Sequence, residues 1–129
     1  MGASLQLTIL KDNFGIVKLK PSSVLPHWLN FPKQEFCCIT STSKELSLVI
    51  KEDQIPEGEL ADFGWKAIQV NGSADFPIMS HIVVCLAEAN IRTRNISTYH
   101  TGFFLVQGTD LAKAKKVLEE NNHYFTCSD

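Results

Sequence analysis

The chain has 129 residues, and 44% of them are hydrophobic, so it is long enough for a compact unit with a true core and too apolar for disorder. Lys and Arg number 12 against 14 for Asp and Glu, and a net charge of -2 argues against a nucleic-acid partner, which requires a basic face. Without a membrane-spanning run or a signal-peptide pattern, we expect a cytoplasmic protein with no membrane partner and four reduced cysteines.

The first half of the chain contains several strand patterns and one weak helix pattern. Strands are predicted over residues 5–10, 14–20, 35–40 and 46–51. The proline-bounded stretch predicts a short helix over 24–29, with Ser22 and Ser23 as possible caps. A single turn near 53–57 stands where a second helix is expected. The segment 5–10 would supply the strand that this half otherwise lacks.

The second half shows a clearer alternation of strands and helices. A helix is predicted over 77–89, because Pro77 suits a first helical turn and Ile82 and Leu86 lie on one apolar ridge. Asn90 is a plausible helix stop. A second, amphipathic helix is predicted over 110–121. Strands are predicted over 65–70, 91–98, 103–107 and 124–126.

A constant shift relates the two halves. Similar residues at positions 41, 48 and 55 recur at 97, 104 and 111, which is a shift of 56 residues each time. This favours duplication of one unit, although chance similarity between two hairpins stays open. The element order then predicts an α+β, ferredoxin-like (βαββαβ) fold in two tandem repeats, with antiparallel sheets and helices on one face. The repeats would cover 1–63, with its second helix reduced, and 64–129.

Four short segments, taken in order, resemble the small tandem ACT-domain proteins. The segments are IPEG at 55–58, GWKA at 64–67, LAEANI at 86–91 and NISTY at 95–99. Over about residues 5–121 the chain is similar to the ACT modules of aspartate kinase and of the eukaryotic cytosolic arginine sensor. The resemblance implies regulatory, allosteric domains that pair edge to edge, form homodimers and bind an amino acid at a repeat or subunit interface.

The same resemblance implies a ligand site with two walls, one at the start of the first helix of the C-terminal repeat and one on the neighbouring hairpin. The residues matched to these walls are Asn71, Gly72, Ser73, Asp75, Phe76, Ser97, Thr98, Tyr99 and Gly102. A helix start offers free N–H groups to a carboxylate, and Gly72 permits close backbone approach. Asp75 or a carbonyl oxygen can accept from the ammonium group.

Four of these residues also have an ordinary structural explanation. Asp75 fits a helix N-cap, Ser97 and Thr98 fit cross-strand hydrogen bonding, and Gly102 fits a turn glycine with positive φ. His100 has the pKa range of a general base but equally fits an exposed turn. Because the sequence shows no nucleophile–base, metal-ligand or phosphate-loop pattern, we expect no enzyme activity, no cofactor and no metal.

Two departures from the family pattern bear on the ligand. The family commonly has Asp at the positions of Gly102 and His100, so two carboxylates that could hold a positive ligand group are missing. Phe76-Pro77 is also bulkier than the glycine-containing turn that the family usually has at the helix start. Two functions therefore stay open. The chain is an amino-acid-sensing regulatory module, or it is a structural or protein-interaction protein that keeps the ACT fold without the pocket.

Overall fold

The computed structural model describes residues 6–21, 24–30, 35–71 and 76–126, except for the side chains of 76–78. The chain divides into two compact units, residues 12–65 and residues 1–11 with 66–129. Two short 3-10 turns cover Glu52–Gln54 and Gly108–Asp110. The regular elements are β1 (Gln6–Leu19), β2 (Cys38–Ser41), β3 (Leu46–Lys51), β4 (Ala61–Val70), α1 (Phe76–Glu88), β5 (Thr93–Ser97), β6 (Gly102–Gln107), α2 (Leu111–Glu120) and β7 (Tyr124–Thr126).

In the unit formed by residues 12–65 the strand order is β2-β3-β1-β4, and the β2–β3 and β1–β3 pairs are antiparallel. In the centre of the β1–β3 pair Val17 lies opposite Leu48, and both side chains are fully buried. They belong to a small core against which Trp28 and Leu29 pack. The predicted hairpin over 35–40 and 46–51 is confirmed, with a shorter first strand.

The helix predicted over 24–29 is wrong. Residues 24–30 form a turn in which the Leu29 N–H donates to the carbonyl oxygen of Pro26 at 3.2 Å. Pro26 stands in the middle of the predicted helix, where it removes a backbone donor and clashes with the preceding turn. The apolar residues Trp28 and Leu29 therefore cover the core from an irregular segment. The proposed caps Ser22 and Ser23 lie outside the described residues.

The other unit has the order β1-β4-β6-β5, and β7 pairs with β1. The two predicted helices are confirmed, and both pack on a single core with the inner face of the strands. Fully buried members of this core include Ile68, Leu86, Phe104 and Leu118. The β7–β1 pairing is parallel, which departs from the antiparallel expectation. Residues 6–8 pair with β7, and residues up to 11 belong to this unit. The expectation that 5–10 adds a strand to the N-terminal half is therefore wrong.

Two positions after the last residue of each helix, an asparagine has a left-handed backbone conformation. Asn90 has φ 61° and Asn122 has φ 71°. The residue after each one closes the helix, because Ile91 and His123 donate their N–H groups to Leu86 and Leu118 at 3.0 Å. The predicted stop at Asn90 is confirmed. In the described part of the chain, neither helix is long and apolar enough to cross a membrane.

Candidate ligand-binding site

The polar residues 98–101 form the turn between β5 and β6. The Thr98 N–H donates to the carbonyl oxygen of Thr101 at 2.8 Å. The Thr98 hydroxyl accepts from the Thr101 N–H at 3.0 Å and donates to the Thr101 carbonyl oxygen at 3.1 Å. The hydroxyl is therefore used by the turn itself. Tyr99, at the tip, is 95% exposed, and its ring meets that of His100 edge-on at 4.7 Å.

The turn between β2 and β3 has the same hydrogen bonds. The Thr42 N–H donates to Glu45 at 2.9 Å, and the Thr42 hydroxyl accepts from the Glu45 N–H at 3.1 Å. The strand registers also correspond, because Ser41 pairs with Leu46 as Ser97 pairs with Gly102. The shift of 56 residues seen in the sequence thus relates two hairpins of equal geometry. Duplication of a whole unit stays a prediction.

A cleft of about 310 Å³ opens between the first half of α1 and β5. Its volume lies at the small end of the range for ligand pockets in proteins, roughly 300–1,000 Å³. The residues that line it are Met79, Ser80, Val83, Asn95 and Ser97. A small ligand therefore has a concave surface beside the start of a helix.

The spacing of these residues explains why they share one surface. Met79 and Val83 are four residues apart on α1 and therefore lie on the same side of the helix. Asn95 and Ser97 alternate along β5, which puts both side chains on one face of the strand. Two apolar side chains thus stand across from an amide and a hydroxyl. None of the five lining side chains carries a charge.

The predicted ligand residues differ in their position relative to the cleft. Ser97 lines the cleft, whereas Asn71 donates its side-chain amide to the Thr8 hydroxyl at 2.9 Å and its N–H to the Gln6 carbonyl oxygen. Phe76 is the first residue of α1, and its side chain lies outside the described part. Gly72, Ser73 and Asp75 are also outside it. Ligand contact by these residues stays a prediction.

Gly102 is buried at the start of β6, opposite Ser97. Among the described glycines, positive φ occurs at Gly58 and Gly64, so the interpretation of Gly102 as a left-handed turn residue is wrong. It is a strand residue, and the turn lies just before it. Gly102 and Ser97 therefore face each other across the same hairpin.

Sequence analysis missed Met79, Ser80, Val83 and Asn95 as lining residues. A signal for Asn95 was available, because it lies two residues before Ser97 on a predicted strand. Met79 and Val83 are apolar residues beside the ridge of Ile82 and Leu86 on the same helix. Nothing in the sequence distinguishes an apolar helix residue that lines a cleft from one that fills a core.

Apart from the cleft, a cluster of polar side chains joins α1 to the segment after α2. The sequence showed no nucleophile–base pattern there. The Cys85 sulfur lies 3.6 Å from Nε2 of His81, and Nδ1 of His81 lies 3.2 Å from Nε2 of His123. Burial, followed by the nearby Glu88, raises the pKa of Cys85. The sulfur is therefore held as a thiol, which is a poor nucleophile. No group of three or more His, Cys, Asp or Glu within the described ranges is placed to hold a metal.

Comparison with known proteins identifies the C-terminal part of the chain. Residues 60–120 match the family model of the ACT domain, and a separate model described as an N-terminal domain matches residues 12–58. A search of curated proteins finds no match.

Solved structures show the same fold. Protein Atu0741 from Agobacterium tumefaciens is 28% identical, with a TM-score of 0.91 over 99% of this chain and 96% of that one. Aspartate kinase from Clostridium acetobutylicum is 15% identical, with a TM-score of 0.68 over 94% of this chain and 35% of the enzyme. A putative C-terminal regulatory domain of aspartate kinase from Porphyromonas gingivalis W83 is 17% identical, with a TM-score of 0.58 over 88% and 94%. Residues 60–120 are therefore an ACT domain, and the chain is a small ACT-like protein.

Proposed function

We propose that the chain is a regulatory module that binds an amino acid with an uncharged side chain in the cleft between α1 and β5. The observation that carries this proposal is the cleft itself, which has ligand-like volume and a lining of neutral polar and apolar groups. The presence of an ACT domain and the similarity to a regulatory domain of aspartate kinase support a regulatory role.

The residues of the cleft suit the three parts of an amino acid. The first turn of α1 has backbone N–H groups without helical partners, which favour the ligand's carboxylate. The amide oxygen of Asn95 and the hydroxyl oxygen of Ser97 can accept from its ammonium group. Met79 and Val83 offer apolar contact to a side chain. A basic side chain would find no opposite charge on the lining residues, which is why the proposal excludes arginine and lysine.

We further propose that the chain works as a homodimer. Among the described strands of its unit, β5 is the last in the order, so we propose that its outer edge pairs with a second copy. The cleft borders this strand, and a partner would shield a ligand that the cleft alone leaves open. Light scattering after gel filtration at micromolar concentration is expected to give twice the mass of 14.4 kDa. A monomer mass would contradict this part of the proposal.

A thermal-shift screen with the twenty amino acids tests the ligand class. A ligand that binds only the folded state at about 100 times its Kd adds about 2.7 kcal/mol to the free energy of unfolding, so a true effector raises the melting temperature clearly. Ser97→Ala is expected to reduce that shift. Ser41→Ala is the matched control, because Ser41 has the same place in the β2–β3 hairpin.

The outcomes separate the two functions that the sequence left open. A shift with uncharged amino acids, reduced by Ser97→Ala and unaffected by Ser41→Ala, supports the sensor. A screen in which no amino acid changes the melting temperature would overturn it in favour of an interaction protein with the ACT fold. A shift seen only with arginine or lysine would refute the ligand class.

A further inference from the structure

Two histidines connect α1 to the segment that follows α2. Nδ1 of His81 lies 3.2 Å from Nε2 of His123, and the ring centroids are 5.2 Å apart with a 54° tilt. His81 is half-buried, and His123 is only 2% exposed.

The position of His123 is fixed by the end of α2. Its N–H donates to the carbonyl oxygen of Leu118 at 3.0 Å, and Asn122 before it adopts the left-handed conformation that reverses the chain. His81 is fixed by the body of α1, where Ile82 beside it is fully buried. The two rings can therefore separate only if a helix moves or one of the side chains changes its rotamer.

The hydrogen bonds are satisfied when both rings are neutral. A neutral imidazole has one N–H donor and one acceptor nitrogen. The Cys85 thiol can donate to Nε2 of His81, and Nδ1–H of His81 can donate to Nε2 of His123. When only one ring carries an extra proton, the neutral ring can change tautomer and accept the hydrogen bond. When both rings are protonated, two N–H donors face each other at this distance. The contact then changes from attraction to repulsion.

We propose that the His81–His123 pair is a proton-sensitive clamp that holds α1 against α2. The clamp is closed while at least one ring is neutral, and it opens when both rings are protonated. Ser80, the neighbour of His81 on α1, lines the cleft, so opening moves one of its walls. That last step, regulation of ligand binding by pH, rests on the proposed function, whereas the clamp itself does not.

The other titratable groups near the pair are few among the described residues. On α1 they are Cys85, in contact with His81, and Glu88, which acts on Cys85. The end of α2 carries Glu119 and Glu120, both exposed, and β7 carries the exposed Tyr124. Solvent screens the negative charge of exposed carboxylates. These groups therefore offset little of the positive charge that a second proton adds to the buried ring.

The direction of the pH effect follows from the environment of His123. Burial, and then the charge of His81, lowers the pKa of His123 from its ordinary value of 6.5. The unfolded chain therefore takes up this proton at a higher pH than the folded chain does. The contribution of neutral His123 to the free energy of unfolding is fully present above about pH 6.5. It is lost as the pH falls from there toward the folded-state pKa. One proton changes the unfolding equilibrium constant by at most about tenfold per pH unit.

Urea unfolding of the whole chain between pH 5 and 8 tests the clamp. In the native protein the unfolding equilibrium constant is expected to rise as the pH drops below about 6.5. His123→Gln, which keeps a neutral acceptor, is expected to remove most of that rise. His27→Gln removes an exposed histidine and is expected to leave it unchanged. Should His123→Gln fail to fold, His81→Gln tests the same contact from the half-buried side.

Two results would overturn the proposal. One is a pH dependence of unfolding that survives in both His123→Gln and His81→Gln. The other is an NMR titration in which the His123 ring takes up a proton at the same pH as the exposed His27. If the clamp is confirmed but no amino acid binds at any pH, the proposed function fails and the clamp stands as a device of the fold.

Discussion

Replacing Thr98 by Val tests whether the turn of the β5–β6 hairpin supports the ligand site. Valine keeps the shape of threonine and removes the hydroxyl, so the two side-chain hydrogen bonds to Thr101 are lost. A typical intramolecular hydrogen bond contributes about 0.5–1.5 kcal/mol net, and water replaces part of it at an exposed turn. We expect a loss of about 1 kcal/mol in the free energy of unfolding and a fall of about 4 °C in Tm.

Thr42→Val provides a control with the same chemistry in the other hairpin. Its hydroxyl makes the corresponding bonds with Glu45, and an additional one with the Lys44 N–H at 3.1 Å. Urea unfolding should show a similar loss for both variants. Thr98→Ser, which keeps the hydroxyl, should regain most of the stability.

Ligand binding should separate the two variants. Thr98 begins the turn directly after Ser97, which lines the cleft, so a distorted turn would displace the proposed ligand contact at Ser97. Calorimetry with whichever amino acid raises the melting temperature is expected to show roughly threefold to tenfold weaker binding for Thr98→Val, equivalent to about 0.7–1.4 kcal/mol. Equal affinity losses in Thr98→Val and Thr42→Val would refute the reasoning, because the cleft borders only one of the two hairpins.

Three further substitutions test packing, backbone conformation and ligand charge. Leu86→Ala should cost about 2–5 kcal/mol in urea unfolding because it opens a cavity in a filled core, whereas Val84→Ala on the same helix, 49% exposed, should cost under about 1 kcal/mol. Asn90→Val should lower the free energy of unfolding by about 1–2 kcal/mol, since a β-branched residue resists positive φ; an unchanged midpoint would contradict this. Gly102→Asp should gain arginine or lysine binding by calorimetric titration and lower Tm because the position is buried, whereas tight arginine binding by the native protein would count against the proposed ligand class.

Strong periodicity made much of the C-terminal unit predictable. The apolar ridge through Ile82 and Leu86 could be satisfied only by a helix that buries it, and both side chains are fully buried. The stop at Asn90 followed from the tolerance of Asn for left-handed φ. The alternation in residues 103–107 is weak, but their continuous apolar character indicated a buried strand, and four of the five are buried in β6.

Other features depend on contacts that no local pattern encodes. The strands predicted over 5–10 and 14–20 form one continuous strand, because the residues 11–13 between them continue the same extended conformation. The parallel pairing of β7 with β1 joins residues more than a hundred positions apart. The lining of the cleft is likewise set by how α1 lies against β5. Sequence alone identified Ser97 but could not assign Met79 or Val83 to it.

The two hairpins share a turn, but the described cleft accompanies only the one beside α1. The turn at Thr42 has the hydrogen bonds of the turn at Thr98, yet residues 24–30 of its own unit form no helix and pack Trp28 and Leu29 on the core. In the described cleft, the hairpin supplies one wall and α1 supplies the other. Calorimetry should give one ligand per chain, in a dimer as well as in a monomer. Two equivalent ligands per chain would show that the N-terminal hairpin also binds, and that α1 is not the element that creates the site.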